Sequence, residues 1–271
     1  MLTVSELYIY PIKSLGGIAL RSANLTDRGF AYDRRWMLVD SGNCFLSQRE
    51  LPAMALLQVE MEPEGLVVRH KNRGETSLRI PFDAAGLPDP CIVTVWDDTC
   101  AGRWVGDAAD TWFTEMLGVP CRLVFMPDET QRLVEQPYAQ NGEVTSFSDG
   151  YPLLIIGQAS LDDLNSRLDS PLPMDWFRPN IVFTGGEPFQ EDGMEEFQIA
   201  GVHFFGVKPC ARCVITTTDQ RTAVKGKEPL RTLSRYRQRN NKIYFGQNLL
   251  FRGSGSIAVG DSITSITMAL H

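Results

Sequence analysis

The density of short, strand-like segments is the feature that most restricts the fold of this 271-residue chain. Six segments in its first part are rich in β-branched or aromatic residues, or alternate apolar with polar positions. Each is bounded by Gly, Pro or Asp, a pattern typical of strands. These segments are Leu2 to Tyr10, Ile18 to Leu25, Trp36 to Asp40, Met54 to Met61, Leu66 to His70, and Cys91 to Trp96. The pattern predicts a first part that is mostly β.

One helix is predicted in this first part, from Ala108 to Leu117, because its apolar residues recur at helical spacing. Asp107 is suited to cap the start of the helix, and Gly118 is suited to end it. The length of the chain corresponds to two modest domains or one large one, since a typical domain has roughly 150 residues. We place a domain boundary just after the helix, which gives domains of residues 1–120 and 121–271.

The second part opens with a long connection, residues 127–150, that has little apolar periodicity and is therefore predicted to be functional or mobile. Helices are predicted from Ser160 to Leu168 and near Pro229 to Arg237. The predicted strands are Pro152 to Ile156, Asn180 to Phe183, Glu196 to Ala200, Val202 to Val207, Val214 to Thr218, Lys242 to Phe245, and Ile263 to Met268. We therefore predict an α+β chain that is predominantly β, with a β-barrel and peripheral helices in its second domain.

The charge balance and the apolar runs limit the class of protein. There are 26 Lys and Arg against 33 Asp and Glu, a net charge of −7, which argues against nucleic acid and acidic membranes as partners. Apolar runs such as Leu153 to Ile156 are far shorter than the ~20 residues of a membrane span. The N-terminus resembles a strand rather than a secretion signal, and six irregularly spaced cysteines do not suggest a disulfide framework. We expect a cytoplasmic protein with no membrane partner.

The sharpest local motif is the pair Cys210 and Cys213. A structural zinc site is disfavoured because it needs a second ligand pair, whereas the other cysteines are isolated and the three histidines are scattered. A thioredoxin-like redox pair is disfavoured because that motif opens a helix, whereas strand sequence follows Cys213. Two interpretations remain. The motif is either a thiolate favoured by Lys208 and Arg212 and suited to a transition metal, or two small residues that fill a turn in the core.

Lys13 and Ser14 follow the first predicted strand and precede two glycines. This is not a P-loop, in which the glycines come before the Lys-Ser pair. An ammonium, a hydroxyl and backbone amides at a strand end can nevertheless hold an anion. The alternative is a tight turn with a solvated lysine.

Arginines also occur at predicted strand ends. Arg34 and Arg35 begin a predicted strand, so alternation should send them to opposite faces. Arg178 precedes Asn180 by two residues at another strand entrance, so the two side chains can point the same way. Because Arg suits bidentate capture of phosphate or carboxylate, these positions are candidates for anion binding.

Six segments of the chain, taken in order, resemble the mitochondrial amidoxime reducing component and its bacterial relatives. They are Tyr10 to Ser14, Asp33 to Trp36, Ser160 to Arg167, Phe177 to Ile181, Cys210 to Thr217, and Phe245 to Gln247. The resemblance covers essentially the whole chain. It implies an N-terminal β domain in residues 1–120 followed by a molybdenum cofactor sulfurase C-terminal (MOSC) domain in residues 121–271.

The resemblance also implies a molybdenum cofactor, a molybdopterin bound between the two domains, and no pyridoxal phosphate. Cys213 corresponds to the protein ligand of the metal and to the catalytic cysteine, and Cys210 to a less essential residue. The positions that correspond to cofactor contacts are Lys13, Ser14, Arg34, Asp149, Arg178, Asn180 and Arg212, of which Asp149 matches more loosely. The anionic groups of such a cofactor explain why an acidic chain would group these cations.

The activity that the resemblance implies is reduction of N-hydroxylated substrates such as amidoximes, hydroxamates and N-hydroxylated bases. Some bacterial relatives add a ferredoxin domain, but this sequence has no cysteine after Cys213, so we expect no iron-sulfur cluster in it. We also expect no membrane anchor like that of the mitochondrial relatives. We therefore expect electrons to come from a separate protein, either a ferredoxin, a cytochrome or a flavoprotein reductase.

A different class of function stays open at this point. The related domain of the cofactor sulfurase makes Cys213 a candidate sulfur carrier in a protein that delivers or stores molybdenum cofactor. A carrier needs an exposed and mobile cysteine, whereas a metal ligand should lie at the floor of a pocket. The position of Cys213 in the structure therefore bears on this choice.

Overall fold

The computed structural model describes residues 1–83, 89–135, 138–139 and 141–265. The strands of its first part are β1 Leu2–Ile9, β2 Ile18–Leu20, β3 Ser22–Thr26, β4 Gly29–Phe30, β5 Trp36–Val39, β6 Leu57–Glu62, β7 Gly65–His70, β8 Arg73–Pro81, β9 Pro90–Val95, β10 Asp98–Trp104 and β11 Arg122–Phe125. The strands of its second part are β12 Leu153–Gly157, β13 Ile181–Thr184, β14 Glu196–Ile199, β15 Val202–Ala211, β16 Gln238–Arg239, β17 Lys242–Arg252, β18 Gly255–Ala258 and β19 Ser262–Ser265.

Helices are fewer and short. The α-helices are α1 Asp107–Leu117, α2 Gln158–Asn165 and α3 Leu230–Leu233. The 3-10 helices are Pro52–Leu56, Met174–Phe177, Gln190–Gly193 and Val214–Thr217. The predicted class, α+β with strands predominating, is confirmed. Within the described ranges, none of these helices has both the length and the apolar character that a bilayer crossing requires.

Seven strands close into a barrel in the order β12, β13, β1, β19, β14, β15 and β17. The ring closes because β17 pairs back to β12, with Leu153 opposite Leu249. Only the β12 and β13 pair is parallel among the pairings that form this ring in the described residues. Side chains from all seven strands form one buried apolar cluster, as the alternation of a strand with one buried face requires.

The first strand, β1, belongs to this barrel although the other six barrel strands all come after residue 150 in the sequence. β1 pairs with β13, where Leu7 lies opposite Ile181, and with β19, where Leu2 lies opposite Ile263. The other sheets are β5-β11-β10-β9, β6-β7-β8 and β18-β3-β4. The barrel thus takes strands from both sides of residue 120, and the domain division at that residue stays a prediction.

The strand predicted from Val214 to Thr218 is wrong, because these residues form a 3-10 helix. The Thr216 hydroxyl donates to the Cys213 carbonyl at 2.9 Å, and the Thr217 hydroxyl donates to the Val214 carbonyl at 2.8 Å. Such local side-chain bonds offer the backbone an alternative to a sheet ladder. The β-branched composition therefore predicted the wrong element directly after the cysteine pair.

Other boundaries differ from the predictions in smaller ways. The segment from Ile18 to Leu25 is divided into β2 and β3, and the segment from Met54 to Met61 starts in a 3-10 helix before β6. The helix predicted at Ser160 begins two residues earlier and ends at Asn165, and α3 is a single turn. The sequence pattern missed β4, β8, β10, β11, β16 and β18. Of the strand predicted from Ile263 to Met268, the residues after 265 lie outside the described part of the chain.

Candidate functional site

One cavity of about 300 Å³ brings together every residue that the sequence singled out for the site. These residues are Lys13, Ser14, Arg34, Asp149, Arg178, Asn180, Arg212 and Cys213. The first three follow β1 or precede β5, and the others come from the second part of the chain. The cavity therefore lies where residues of the two predicted domains meet.

Lys13 is buried at 4% exposure and points to the loop that precedes β12. Its ammonium donates to the Phe147 carbonyl at 2.7 Å and to Oδ1 of Asp149 at 2.6 Å. Burial lowers the pKa of Lys13 to about 8, although the charge of Asp149 opposes this change. The structure thus contradicts the alternative of a solvated lysine. The neighbouring Ser14, which also lines the cavity, has a left-handed backbone conformation with a φ of 67°.

Arg34 lies in a left-handed backbone conformation, with a φ of 50°. Its guanidinium bonds Asp33, donates to Oδ1 of Asn180 at 3.2 Å, and lies 4.7 Å from the Tyr10 ring centroid. Asn180 is also fully engaged, because its Oδ1 accepts from the Leu154 amide and its Nδ2 donates to the backbone. Asn180 thus anchors Arg34 to the barrel.

Arg34 and Arg35 do diverge, but not because of strand alternation, since β5 begins only at Trp36. Arg35 is buried and donates to the Met126 carbonyl at 3.1 Å and to Oδ1 of Asp128 at 2.6 Å. It lines a separate cavity. Arg34 ends a turn in a left-handed conformation, and the two side chains leave it toward different partners.

Arg178 also has a left-handed conformation, with a φ of 55°. Its Nη1 donates to the Leu15 carbonyl at 2.7 Å, and its guanidinium carbon lies 4.2 Å from the Tyr10 ring centroid. Burial lowers the pKa of Arg178 to about 10. Its Nη2 is buried and has no hydrogen-bond acceptor among the described residues. A buried charged donor without a partner is costly, so this atom suits a bound anionic group.

The two cysteines occupy different elements at the cavity wall. Cys210 lies in β15, and Cys213 directly precedes the 3-10 helix Val214–Thr217. Both are partly exposed, so they do not simply fill a turn in the core. A thioredoxin-like motif would need a helix that starts at the first cysteine, and this one lies within a strand.

The two predicted cations near the thiols behave differently. Nη1 of Arg212 donates to Sγ of Cys210 at 3.0 Å, and its Nη2 bonds the Phe177 carbonyl. Lys208 instead pairs with Oε2 of Glu135 at 2.6 Å. Arg212 therefore contacts a thiol, whereas Lys208 is paired with a carboxylate instead.

Asp149 lies at the rim of the cavity and is largely exposed. Its carboxylate accepts hydrogen bonds from Lys13, from Nε1 of Trp96 at 3.2 Å and from Nη2 of Arg49 at 3.4 Å. The protein that surrounds this rim raises the pKa of Asp149 although the side chain reaches solvent, but the charges of Lys13 and Arg49 outweigh that effect and hold the pKa well below its usual range. A carboxylate repels anions, so Asp149 can contact only the hydrogen-bond donors of a ligand.

Arg49 and Trp96 were not predicted as part of this rim. Arg49 lies in a loop and Trp96 at a tight turn with a φ of 57°, and the guanidinium carbon of Arg49 lies 4.3 Å from the Trp96 ring centroid. Arg49 lies in no motif, and Trp96 only ends a predicted strand, so the sequence pattern assigned neither residue a role at the site. Only the tertiary structure brings them to Asp149.

A second cavity, of about 560 Å³, lies on the other side of Arg178. Arg178 lines both cavities, and the loop from Lys13 to Gly17 contributes its first residues to one and its last residues to the other. A Cβ on Gly17 would lie 2.5 Å from the Tyr10 ring, so only glycine permits this close approach. The loop and Arg178 together form a partition between two cavities.

The donors on the first cavity fit an anionic group that carries a soft metal. Lys13, Arg34, Arg178 and Arg212 supply positive charge, and thiolate is a ligand that suits such metals. Within the part of the chain that the structure describes, no three His, Cys, Asp or Glu residues are placed to hold a metal ion together. A metal at Cys213 would therefore need additional ligands from a cofactor or from substrate.

Comparisons with known proteins agree with the resemblance noted in the sequence. Residues 1–120 match the MOSC N-terminal beta barrel domain, and residues 142–264 match the MOSC domain. The chain is 34% identical to mitochondrial amidoxime reducing component 2 of Rattus norvegicus and 33% identical to mitochondrial amidoxime-reducing component 1 of Homo sapiens. Each comparison covers 96% of this chain and 82% of the relative. The chain is also 32% identical, over 90% of its length, to molybdenum cofactor sulfurase of Oryza sativa subsp. japonica, of which it covers 32%.

Proposed function

Because the chain belongs to the MOSC-domain family and has the mitochondrial amidoxime reducing components among its relatives, we propose that it is a molybdenum-cofactor-dependent reductase of N-hydroxylated compounds. Its substrates would include amidoximes, hydroxamates and N-hydroxylated bases. The observation that carries the proposal is the single cavity in which Cys213 lies among Lys13, Arg34, Arg178 and Arg212. A soft ligand within a ring of cations suits a metal held by an anionic organic group.

In this proposal each part of the cavity has a separate task. Cys213 would ligate the metal, and Lys13, Ser14, Arg34 and Arg178 would hold the anionic groups of the cofactor. The unpartnered Nη2 of Arg178 would gain an acceptor. Asp149, which can only accept hydrogen bonds, would face N–H groups. When bound, the molybdenum cofactor supplies the two-electron chemistry that the side chains of the protein lack.

The overall reaction fixes what else must reach the cavity. Reduction of an N-hydroxylated substrate breaks its N–O bond, consumes two electrons and two protons, and releases the N–H product and water. The electrons would come from a separate electron-donor protein such as a ferredoxin, a cytochrome or a flavoprotein reductase. The protein would orient the substrate in a cavity whose walls are already held in place by Asn180 and Arg212.

The similarity to a molybdenum cofactor sulfurase keeps a second candidate function, in which Cys213 carries sulfur or the protein delivers or stores cofactor. A sulfur carrier must offer its cysteine to another protein. Here Cys213 is only partly exposed, lines a cavity, and is held between β15 and a 3-10 helix. This position favours a metal ligand over a carrier.

Analysis of metal and pterin in protein purified from a host that makes molybdenum cofactor tests the proposal. We expect molybdenum and pterin in equal amounts, and reduction of benzamidoxime to benzamidine when an artificial electron donor is supplied. A known molybdenum enzyme purified from the same cells serves as the control for cofactor supply. Protein without molybdenum, obtained alongside a loaded control enzyme, would contradict the proposal.

A further inference from the structure

The long connection between β11 and β12 is built around a buried arginine, Arg132, which is 5% exposed. Its Nη1 donates to the Ser146 carbonyl at 2.9 Å and to the Ser148 carbonyl at 2.6 Å. Its Nε donates to Oδ2 of Asp98 in β10 at 2.8 Å. One side chain therefore ties two carbonyls of the loop to the sheet that contains β10.

The same stretch of the loop is held from its other side by the candidate site. The Phe147 carbonyl accepts from Lys13, and the Phe147 amide donates to the Arg34 carbonyl at 3.0 Å. Thus the carbonyls of Ser146 and Ser148 point to Arg132, and the carbonyl between them points to Lys13. This alternation fixes the backbone from residue 146 to residue 148, directly before Asp149.

We propose that Arg132 is a positioning residue for the cofactor cavity. By fixing residues 146–148, Arg132 sets where Ser148, Asp149 and Gly150 stand as one wall of that cavity. Arg132 does not itself line the cavity, so its contacts reach the cavity through the loop. The identity of the ligand rests on the proposed function, whereas the role of Arg132 in ordering the loop does not.

The chemistry of this contact requires arginine. The guanidinium has N–H donors in several fixed directions, so it can bond two carbonyls and a carboxylate at once. The ammonium of lysine is a compact charge at one nitrogen and cannot reach all three. An apolar replacement would leave the two buried carbonyls without a donor, and unsatisfied buried groups are costly. The loop would then reorganise to expose them to water.

A second buried arginine, between β3 and β4, bonds the same loop and provides a matched control. Arg28 is 3% exposed, and it donates to the Thr130 carbonyl at 3.0 Å, to the Asp128 carbonyl at 2.7 Å and to the Asp27 carboxylate. Like Arg132, it binds two loop carbonyls and one carboxylate. The carbonyls that it binds belong to the start of the loop, and Arg28, Asp128 and Thr130 do not line the cofactor cavity.

The experiment compares Arg132→Met, Arg28→Met and Arg132→Lys, all expressed in cofactor-competent cells. Melting temperature, hydrogen exchange of residues 144–150, and pterin and molybdenum per folded chain are measured for each. We expect both methionine variants to lose stability. Only in Arg132→Met should the amides of residues 146–149 exchange faster. Its affinity for cofactor should fall about tenfold, as expected when one charge-assisted hydrogen bond is lost. Compared with Arg132→Met, Arg132→Lys should regain part of the loop protection and part of the cofactor content.

Two results would overturn the inference. The first is Arg132→Met matching Arg28→Met in both exchange and cofactor content, and the second is faster exchange in Arg132→Met with cofactor content unchanged. A wild-type protein without molybdenum would contradict the proposed function instead. In that case hydrogen exchange alone tests whether Arg132 orders the loop. Unchanged protection of residues 146–149 in Arg132→Met would refute that role.

Discussion

Nη1 of Arg212 lies 3.0 Å from Sγ of Cys210 and bonds this sulfur, while Cys213 has a separate place on the cavity wall. The two cysteines of the motif therefore have different surroundings. Cys210 fixes a cation that faces the cavity, together with the Phe177 carbonyl. Cys213 remains available to a metal.

This difference predicts unequal effects of substitution. Cys213→Ala or Cys213→Ser should remove molybdenum and activity, because the change deletes the proposed bond from the protein to the metal. Cys210→Ala should keep a substantial fraction of both, with a partial loss that reflects a less ordered Arg212. The molybdenum content and the turnover rate of the purified variants measure the two effects. Equal damage from both substitutions would instead indicate a disulfide or a metal site that uses both sulfurs.

Substitution of the cavity arginines should reduce cofactor retention. Charge-assisted hydrogen bonds contribute roughly 1.5 to 3 kcal/mol each, so Arg34→Ala and Arg178→Ala should each weaken retention about tenfold or more. Arg35→Ala is the comparison. Since Arg35 bonds Met126 and Asp128 in another cavity, its loss should lower stability yet leave more pterin and molybdenum per folded chain. Comparable cofactor content in all three variants would place the cofactor elsewhere.

Anion binding by the cofactor-free protein should depend on pH through Lys13, whose pKa burial lowers to about 8. The ammonium attracts an anion and the neutral amine does not. Affinity for sulfate, which keeps its charge over this range, should fall by up to about tenfold per pH unit as the pH rises above 8. Lys13→Arg should flatten this dependence, as calorimetric titration can show. A wild-type affinity that is constant from pH 7 to pH 9.5 would argue against Lys13 as an anion ligand.

Stability should also depend on pH through Glu191, which is fully buried and accepts a hydrogen bond from Ser160 at 2.8 Å. Burial raises its pKa from 4.5 to about 7. The folded protein therefore holds this proton more tightly than the unfolded chain. The resulting stabilisation is full below pH 4.5 and is lost as the pH rises through 7.

Glu191→Gln removes the need to ionise this buried group. At pH 8.5 the variant should be more stable than wild type by on the order of 3 kcal/mol, and the difference should shrink toward pH 5.5. Thermal unfolding at several pH values measures this difference. Glu115→Gln, at an exposed position on α1, should match wild type throughout. A constant difference between Glu191→Gln and wild type from pH 5.5 to 8.5 would show that Glu191 does not titrate there.

The source of electrons gives a further prediction. The cofactor-loaded protein should not reduce benzamidoxime with NADH or NADPH alone, and it should do so with an artificial one-electron donor such as reduced methyl viologen. Product formation in the absence of oxygen measures both reactions. Turnover with a nicotinamide cofactor and no other protein would refute the need for a separate electron donor.

The sequence predicted the strand-rich class of the fold, and it singled out residues that prove to line one cavity, but it did not predict their contacts. Strand propensity identified β1 and most barrel strands, because buried strands carry a dense apolar pattern. It failed at Val214–Thr217, where threonine hydroxyls bond nearby carbonyls. It could not predict that Lys13 is buried or that Trp96 reaches Asp149, because both facts depend on contacts between residues far apart in the chain.

The place of β1 in the barrel has a consequence for how the protein is made. The ribosome produces Leu2–Ile9 long before Ser262–Ser265, yet these segments are hydrogen-bonded neighbours. The ring therefore cannot close until both segments have been made, so folding of the N-terminal part alone during synthesis cannot complete it. Until then the stretch of β1 that pairs with β19, at Leu2 and Thr3, stays open to mispairing with other nascent chains. Yield in a cell should accordingly respond to chaperones that shield strand edges.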